Sequence, residues 1–264
     1  MRFVNCVFLT VFIFYVASAS SFTTANDLDK AETQFNQKNR NNNVYFLNVD
    51  KMFSDKKLRV LAEAAARGNT DEIDGIISSG VNVNQKGTAD ATVLFWALNN
   101  KKGFAHLLSK GADPNVVFSS GGSVIHRSAE LSDSWFLETL LKNGGNPNLV
   151  SPDTGETPIF DAIYVNNYEA VKILSDFKAN LNFINRTGPA GFKGSTPIFS
   201  AFYSTNWEMV YQLLQLGSDY NIKHEVINET ILEVMVNEAS NLAKPNLWLN
   251  KSIEWIKIDM GRVN

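Results

Sequence analysis

The residues best suited to chemistry in this chain are one Asp-Thr-Gly tripeptide and three histidines. Asp153-Thr154-Gly155 matches the tripeptide that carries the reactive aspartate of aspartic proteases. That reaction requires two facing carboxyl groups that share a proton, and this aspartate has no twin, so we interpret the tripeptide as a turn. His106, His126 and His224 have spacings that match no metal-binding pattern. We therefore predict no enzyme, no metal site and no cofactor.

The N-terminal residues have the pattern of a secretory signal peptide. Arg2 supplies a positive charge, Val7 to Val16 is apolar apart from Thr10, and Ala17-Ser18-Ala19 offers small residues for cleavage. The apolar run is shorter than the roughly 20 residues that cross a bilayer, so we predict no membrane span. We expect residues 1–19 to be removed near Ala19 and the protein to act in the periplasm.

Composition excludes several function classes for the mature chain. Its only cysteine, Cys6, lies in the predicted signal peptide, which leaves no thiol for a disulfide, a zinc-thiolate site or a nucleophile. Loss of Arg2 leaves 23 basic and 27 acidic residues, a net charge of −4. This mild negative charge does not favour nucleic acid as a partner. Residues 20–43 are polar and rich in Asn, which predicts a flexible leader before a folded domain at 44–264.

Two short sequence patterns recur through the folded domain with the same period. The first begins at residues 59, 92, 123, 157, 196 and 230 and is clearest in Thr157–Ala162 and Thr196–Ala201. The second resembles Gly-Ala-Asp-Pro-Asn and recurs at Gly80, Gly111, Gly144, Lys178 and Gly217. A period near 33 with a T-P-L-H-x-A-like start is typical of ankyrin repeats, so the chain resembles ankyrin-repeat proteins. The resemblance implies an all-α solenoid of about six helix-turn-helix repeats with capping ends.

Each repeat is expected to contribute an inner helix, an outer helix and a finger-like loop. A glycine at the end of the outer helix supplies the left-handed residue at which the helix ends. In the fourth repeat Lys178 stands in place of this glycine. The fourth step is 39 residues, because residues 185–194 lengthen one finger. Longer loops on an unchanged scaffold are common binding sites.

The concave face and the finger tips are where we expect a partner to bind. In this fold the residues before the T-P position and after the inner helix usually face the groove, and Phe118 and Phe192 are large rings at finger tips, as binding anchors often are. The candidate partner-binding residues are Lys86, Asn99, Asn100, Phe118, Ser132, Asp153, Glu156, Asn166, Arg186, Phe192, Lys193, Ser204 and Thr205.

Among exported ankyrin proteins, the chain resembles the periplasmic immunity proteins of lipase effectors injected by type VI secretion systems. The resemblance rests on residues 53–68, 93–98, 121–126 and 154–162. It implies a protein that binds and neutralises a secreted antibacterial phospholipase by covering its active-site entrance. Two alternatives stay open: a periplasmic protein that supports an oxidative-stress enzyme such as catalase, and an effector directed at host proteins.

Overall fold

The computed structural model describes residues 47–187 and 193–263. The predicted signal peptide (1–19), the predicted leader (20–43) and Phe192 lie outside these residues. The described part contains thirteen α-helices: α1 (Val49–Met52), α2 (Lys56–Arg67), α3 (Thr70–Ser78), α4 (Val93–Trp96), α5 (Lys101–Ser109), α6 (Val124–Ala129), α7 (Trp135–Lys142), α8 (Pro158–Tyr164), α9 (Tyr168–Asp176), α10 (Pro197–Tyr203), α11 (Trp207–Gln215), α12 (Ile231–Asn241) and α13 (Leu247–Val263).

The helices after α1 form six successive pairs, from α2–α3 to α12–α13, as the period predicted. First helices pack on neighbouring first helices, as α8 does on α6 and α10, and second helices on second helices, as α9 does on α7. In the described residues the only extended pairing is two isolated bridges, Val117–Ser123 and Lys223–Thr230, which close two fingers. The architecture is therefore an all-α solenoid.

Local sequence explains where the helices begin. Pro158 and Pro197 occupy the first position of α8 and α10, where a missing N–H is tolerated. The second helix of four pairs starts after an asparagine whose side chain accepts a hydrogen bond from the backbone N–H three residues later; these are Asn69, Asn100, Asn167 and Asn206. Such caps satisfy backbone donors that the helix itself leaves unpaired.

The core runs along the solenoid between first and second helices. Phe104 in α5 is fully buried and meets Phe136 edge-on, with 5.1 Å between ring centroids. Gly103 lets α5 approach α2 closely, because a Cβ at this position would lie 1.9 Å from the carbonyl oxygen of Ala65. Each pair thus buries its apolar side against the next, as repeat stacking requires.

The asparagine that ends each Gly-Ala-Asp-Pro-Asn pattern joins one repeat to the next. Asn115 Nδ2 donates to the carbonyl of Gly144 at 3.0 Å, and Asn115 Oδ1 accepts from the N–H of Asn146 at 2.7 Å. Asn84 and Asn148 make the same pair of bonds to the following repeat. This ladder fixes the spacing between repeats, which explains why the pattern keeps its period.

The second helix of a repeat ends at a residue with left-handed backbone geometry, whether or not that residue is glycine. Gly80, Gly111, Gly144 and Gly217 have φ between 83° and 97°, as predicted. Lys178 has φ of 69° at the equivalent place. The fourth repeat therefore keeps the same helix end and accepts the steric strain of a Cβ in the left-handed region.

Both ends of the described stack are covered by added helical segments. Met52 and Phe53 at the end of α1 are buried, and Lys51 O accepts a hydrogen bond from Thr88 Oγ1 at 2.7 Å. At the other end α13 packs on α11 and α12. None of the described helices has the length and apolar character needed to cross a bilayer.

Candidate functional site

Most of the predicted partner-binding residues lie at the surface, on the fingers or at the ends of the first helices. Asn100 is half-buried because it caps α5. The exposed members of the set are Lys86, Asn99, Ser132, Asp153, Asn166, Arg186, Lys193, Ser204 and Thr205. Phe192 lies outside the described residues and remains a prediction.

Phe118 is not an exposed anchor, so this part of the predicted surface is wrong. Its side chain is fully buried and packs edge-on against Phe95 at 5.1 Å between ring centroids. Phe118 N–H donates to the carbonyl of Gly122 at 3.0 Å, which closes the finger into a tight hairpin. Because side chains alternate between the two sides of a hairpin, this ring turns into the stack.

Glu156 is also buried, with 6% of its surface exposed, and therefore does not offer its carboxylate to a partner as predicted. The hydroxyl of Tyr164 donates a hydrogen bond to Glu156 Oε1. Burial raises the pKa of Glu156 to about 7, against the opposing effect of the Tyr164 hydrogen bond. The backbone carbonyl of the same residue faces His126 Nε2 at 3.3 Å.

The three histidines have structural partners. His126 lies 2.8 Å from Ser123 Oγ, and burial lowers the pKa of its imidazole to about 4. His106 contacts Asp74 at 2.7 Å, and His224 lies 3.0 Å from Ser195 Oγ. His126 thus joins its own turn to the next finger, the role usual for the histidine of the T-P-L-H pattern. Among the described residues no three His, Cys, Asp or Glu side chains are grouped so that they could hold a metal ion.

Arg186 connects the long finger to the next one. Its Nη2 and Nε lie 2.7 Å and 2.9 Å from Oε1 of Glu225. Gly194 reinforces this connection, because its carbonyl accepts from the N–H of Glu225 at 3.2 Å. The Arg186 side chain is still 65% exposed, so a partner could contact it without displacing Glu225.

An apolar groove was not anticipated from the sequence. It has a volume of about 290 Å³ and lies between α1 and the first helices α4 and α6. Its lining residues are Leu47, Met52, Phe95, Trp96, Leu98, Asn99, Arg127 and Leu131. Only Asn99 among these was predicted to contact a partner. The half-buried Trp96 forms a wall of this groove.

A cluster of three carboxyl groups adjoins this groove, and only Glu156 was singled out from the sequence. Glu130, the residue that caps the C-terminal end of α6, forms an ion pair with Arg127 in the last turn of that helix. Asp161 in α8 is held near Glu130, Glu156 and Asp153, and burial raises its pKa well above the ordinary value. The signal available in the sequence was Asp161, the one charged residue in the otherwise apolar stretch Pro158–Ile163. We call Glu130, Glu156 and Asp161 the carboxyl cluster.

Comparison with known proteins supports the repeat assignment. A family model described as ankyrin repeats, in three copies, matches residues 125–224. Protein PhlB of Serratia liquefaciens is 31% identical over 130 residues, which are 48% of this chain and 57% of PhlB. Phosphocholine transferase AnkX of Legionella pneumophila is 28% identical over 133 residues, 47% of this chain and 14% of AnkX. The matched region thus covers little more than half of the first relative and a small part of the second.

The family match concerns the repeats themselves. The name of AnkX describes that protein's activity, and a match to 14% of its length does not extend the activity to this chain. The helix pairs, the interrepeat asparagine ladder and the family match agree with one another. The chain is therefore an ankyrin-repeat solenoid, an architecture suited to binding other proteins, with its ankyrin repeats matched by sequence over residues 125–224.

Proposed function

We propose that this protein is an exported scaffold that binds and neutralises a secreted antibacterial phospholipase in the periplasm. The observation that supports binding of a partner protein is the apolar groove beside the carboxyl cluster, on the face formed by the first helices. A rigid surface of this kind loses little conformational entropy on association. Further exposed apolar side chains extend the surface along the first helices and fingers: Val165 (40%), Tyr203 (42%), Val226 (66%) and Ile227 (42%).

Neutralisation would be stoichiometric. The scaffold would cover the active-site entrance of the toxin and keep phospholipids out, without reacting itself. An interface of about 1,600 Å² in total is the usual size for a stable complex, and a few large side chains supply most of its affinity. Trp96 and Tyr203 are suitable anchors, because both rings are partly accessible on the proposed face.

The test is capture of the partner from periplasmic extract with tagged wild-type protein and two variants. Trp96→Ala removes a wall of the groove, whereas Lys172→Ala changes an exposed residue on the second helix α9 and serves as the matched control. We expect one protein to be retained by the wild type and the control and reduced on the groove variant. Equal retention by all three would place the interface elsewhere.

The identity of the partner is tested by its activity. The captured protein should hydrolyse phospholipid vesicles, and one equivalent of scaffold should abolish the hydrolysis. A captured protein without lipase activity, or one that stays active when saturated with scaffold, would refute the immunity role. Fractionation of cells that express the full chain tests the location, and recovery in the cytosol would contradict export.

A further inference from the structure

The last described helix, α13, has one enclosed side and one side that faces solvent. It begins after Asn246, whose Oδ1 accepts hydrogen bonds from the N–H groups of Trp248 and Leu249 at 3.0 Å and 3.1 Å. Its main contacts are with α11 and α12. The apolar residues buried on the enclosed side are Leu249, Ile253 and Ile256.

Four exposed residues form a single stripe on the opposite side of α13. They are spaced four, three and four residues apart, and an α-helix returns to the same side about every 3.6 residues, so they share one face. Leu247 and Ile258 at the two ends are 63% and 50% exposed. Lys251 and Glu254 lie between them and are also exposed. We call Leu247, Lys251, Glu254 and Ile258 the outer stripe.

The outer stripe is unusual for the terminal helix of a repeat stack. Such helices normally carry a polar outer face, which keeps the end of the stack soluble. Here a large apolar side chain stands exposed at each end of the stripe. Lys251 Nζ lies 4.4 Å from the centre of the Trp248 ring, but neither Lys251 nor Glu254 forms an ion pair within the described residues.

The outer stripe is complementary to itself. Leu247 and Ile258 lie equally far from the middle of the stripe, and so do Lys251 and Glu254. If two copies of α13 lie side by side in opposite directions, the leucine of each faces the isoleucine of the other. In the same arrangement the lysine of each faces the glutamate of the other. A two-fold dimer requires a surface that matches itself in this way.

The spacing of the stripe also matches the contact seam of a two-stranded coiled coil, which repeats about every 3.5 residues. In the antiparallel pair, apolar layers lie at both ends of the seam and charged layers lie at its centre. A parallel pair would instead place Lys251 against Lys251 and Glu254 against Glu254, which like-charge repulsion disfavours. The charges thus specify the direction and register of the pair, as polar residues in such seams do.

We propose that the outer stripe of α13 is a self-association surface, which pairs antiparallel with the same stripe of a second copy of this chain around a two-fold axis. The stripe does not suit a membrane surface. Helices that lie on membranes combine a broad apolar face with an excess of basic residues, whereas this stripe has one base, one acid and two apolar residues.

The proposed dimer is weak and leaves the apolar groove free. The 17 residues of α13 span about 25 Å, so two paired helices form an interface at the small end of the range for specific complexes. We therefore expect the dimer to dissociate at low micromolar concentration. The groove lies beside α1, at the other end of the described stack. Self-association through α13 is thus independent of the proposed function.

The first test is the oligomeric state of the purified chain, measured by analytical ultracentrifugation from about 1 µM to about 1 mM. We expect the average mass to rise from one copy towards two and to stop there. A monomer at every concentration overturns the proposal, and so does growth beyond two copies, because a two-fold interface closes on itself. A monomer that co-sediments with phosphatidylglycerol vesicles would assign the stripe to a membrane and overturn the proposal as well.

Two charge-reversal variants test the contacts of the seam. Lys251→Glu places an acid opposite Glu254 of the second copy, and Glu254→Lys places a base opposite Lys251. Each variant alone should therefore self-associate at least about tenfold more weakly than the wild type. Lys172→Glu makes the same charge change on the exposed surface of α9 and should associate as the wild type does. Wild-type association of either α13 variant overturns the proposal.

A mixture of Lys251→Glu and Glu254→Lys tests the antiparallel register. In a mixed pair every charge of one chain again faces the opposite charge of the other. The one-to-one mixture should therefore form dimers at concentrations at which each variant alone is monomeric. Recovery on mixing also shows that the single variants are folded, since misfolded chains would not regain a specific dimer. A mixture that stays monomeric overturns the proposal.

Discussion

Replacement of Glu156 by Gln should change how stability depends on pH. Glu156 is buried and has a pKa of about 7, against an ordinary value of 4.5. Between these values the folded chain retains a proton that the unfolded chain releases. The free energy of unfolding therefore falls as the pH rises through this range. Glutamine removes this loss and still accepts the hydrogen bond from Tyr164.

The size of the change in unfolding free energy follows from how far the pKa of Glu156 is raised. A displacement of about 2.5 pKa units corresponds to about 3 kcal/mol. His126 acts in the opposite direction: burial lowers its pKa from 6.5 to about 4, so its contribution to stability grows as the pH rises between those values. The two groups nearly cancel in the wild type. Glu156→Gln leaves the His126 contribution uncompensated. The pKa of Asp161 is raised mainly by burial, and the variant removes only the smaller part that comes from Glu156.

The measurement is urea-induced unfolding, followed by circular dichroism, at about pH 4.5, 5.5, 6.5 and 7.5. The difference in unfolding free energy, Glu156→Gln minus wild type, should grow by about 3 kcal/mol from the lowest to the highest pH. Glu254→Gln, an exposed change on α13, is measured in parallel as the control for a surface substitution. If the Glu156→Gln difference does not vary with pH, the folded chain does not hold an extra proton at Glu156 and the prediction is refuted.

Three further predictions concern stability and are checked by the same unfolding measurement at neutral pH. Gly103→Ala should destabilise the fold by about 3 kcal/mol or more, because the new methyl group would meet the backbone of Ala65. At Gly75 in α3, a new methyl group would have no atom within 4 Å, so Gly75→Ala should stabilise the fold by about 0.5–1 kcal/mol. Equal effects at the two glycines would contradict the close approach of α5 to α2. Lys178→Gly should stabilise by about 1 kcal/mol, since glycine relieves the strain at a φ of 69°; a destabilised variant would show that the lysine side chain matters more than its backbone. Phe118→Ala should cost about 3–5 kcal/mol because the ring is fully buried, and a loss below about 1 kcal/mol would indicate an exposed ring.

Features that repeat along the chain were predictable from the sequence. The period near 33 residues predicted helix pairs. The glycines predicted left-handed helix ends, and in the structure their φ values lie between 83° and 97°. These features depend on local geometry and on contacts one repeat away, so each copy of the pattern carries the same information.

Features that depend on orientation across repeats were not predictable in the same way. Phe118 and Glu156 occupy finger and pre-helix positions that are often exposed, and both are buried here. The direction of each side chain is set by the hairpin that closes the finger and by the residue opposite in the next repeat. Sequence alone specified that a ring and an acid stand at these positions, and it left open which way they point.

The sequence by itself thus determined the solenoid and its repeat boundaries, because short patterns encode helix caps and turns. Only the tertiary structure decided that Phe118 and Glu156 are buried and that Glu130 and Glu156 act on the carboxyl group of Asp161. Stacking brings together side chains from successive repeats, and burial then changes their pKa values. A list of residues contains neither the distance between two helices nor the loss of solvent around a carboxyl group.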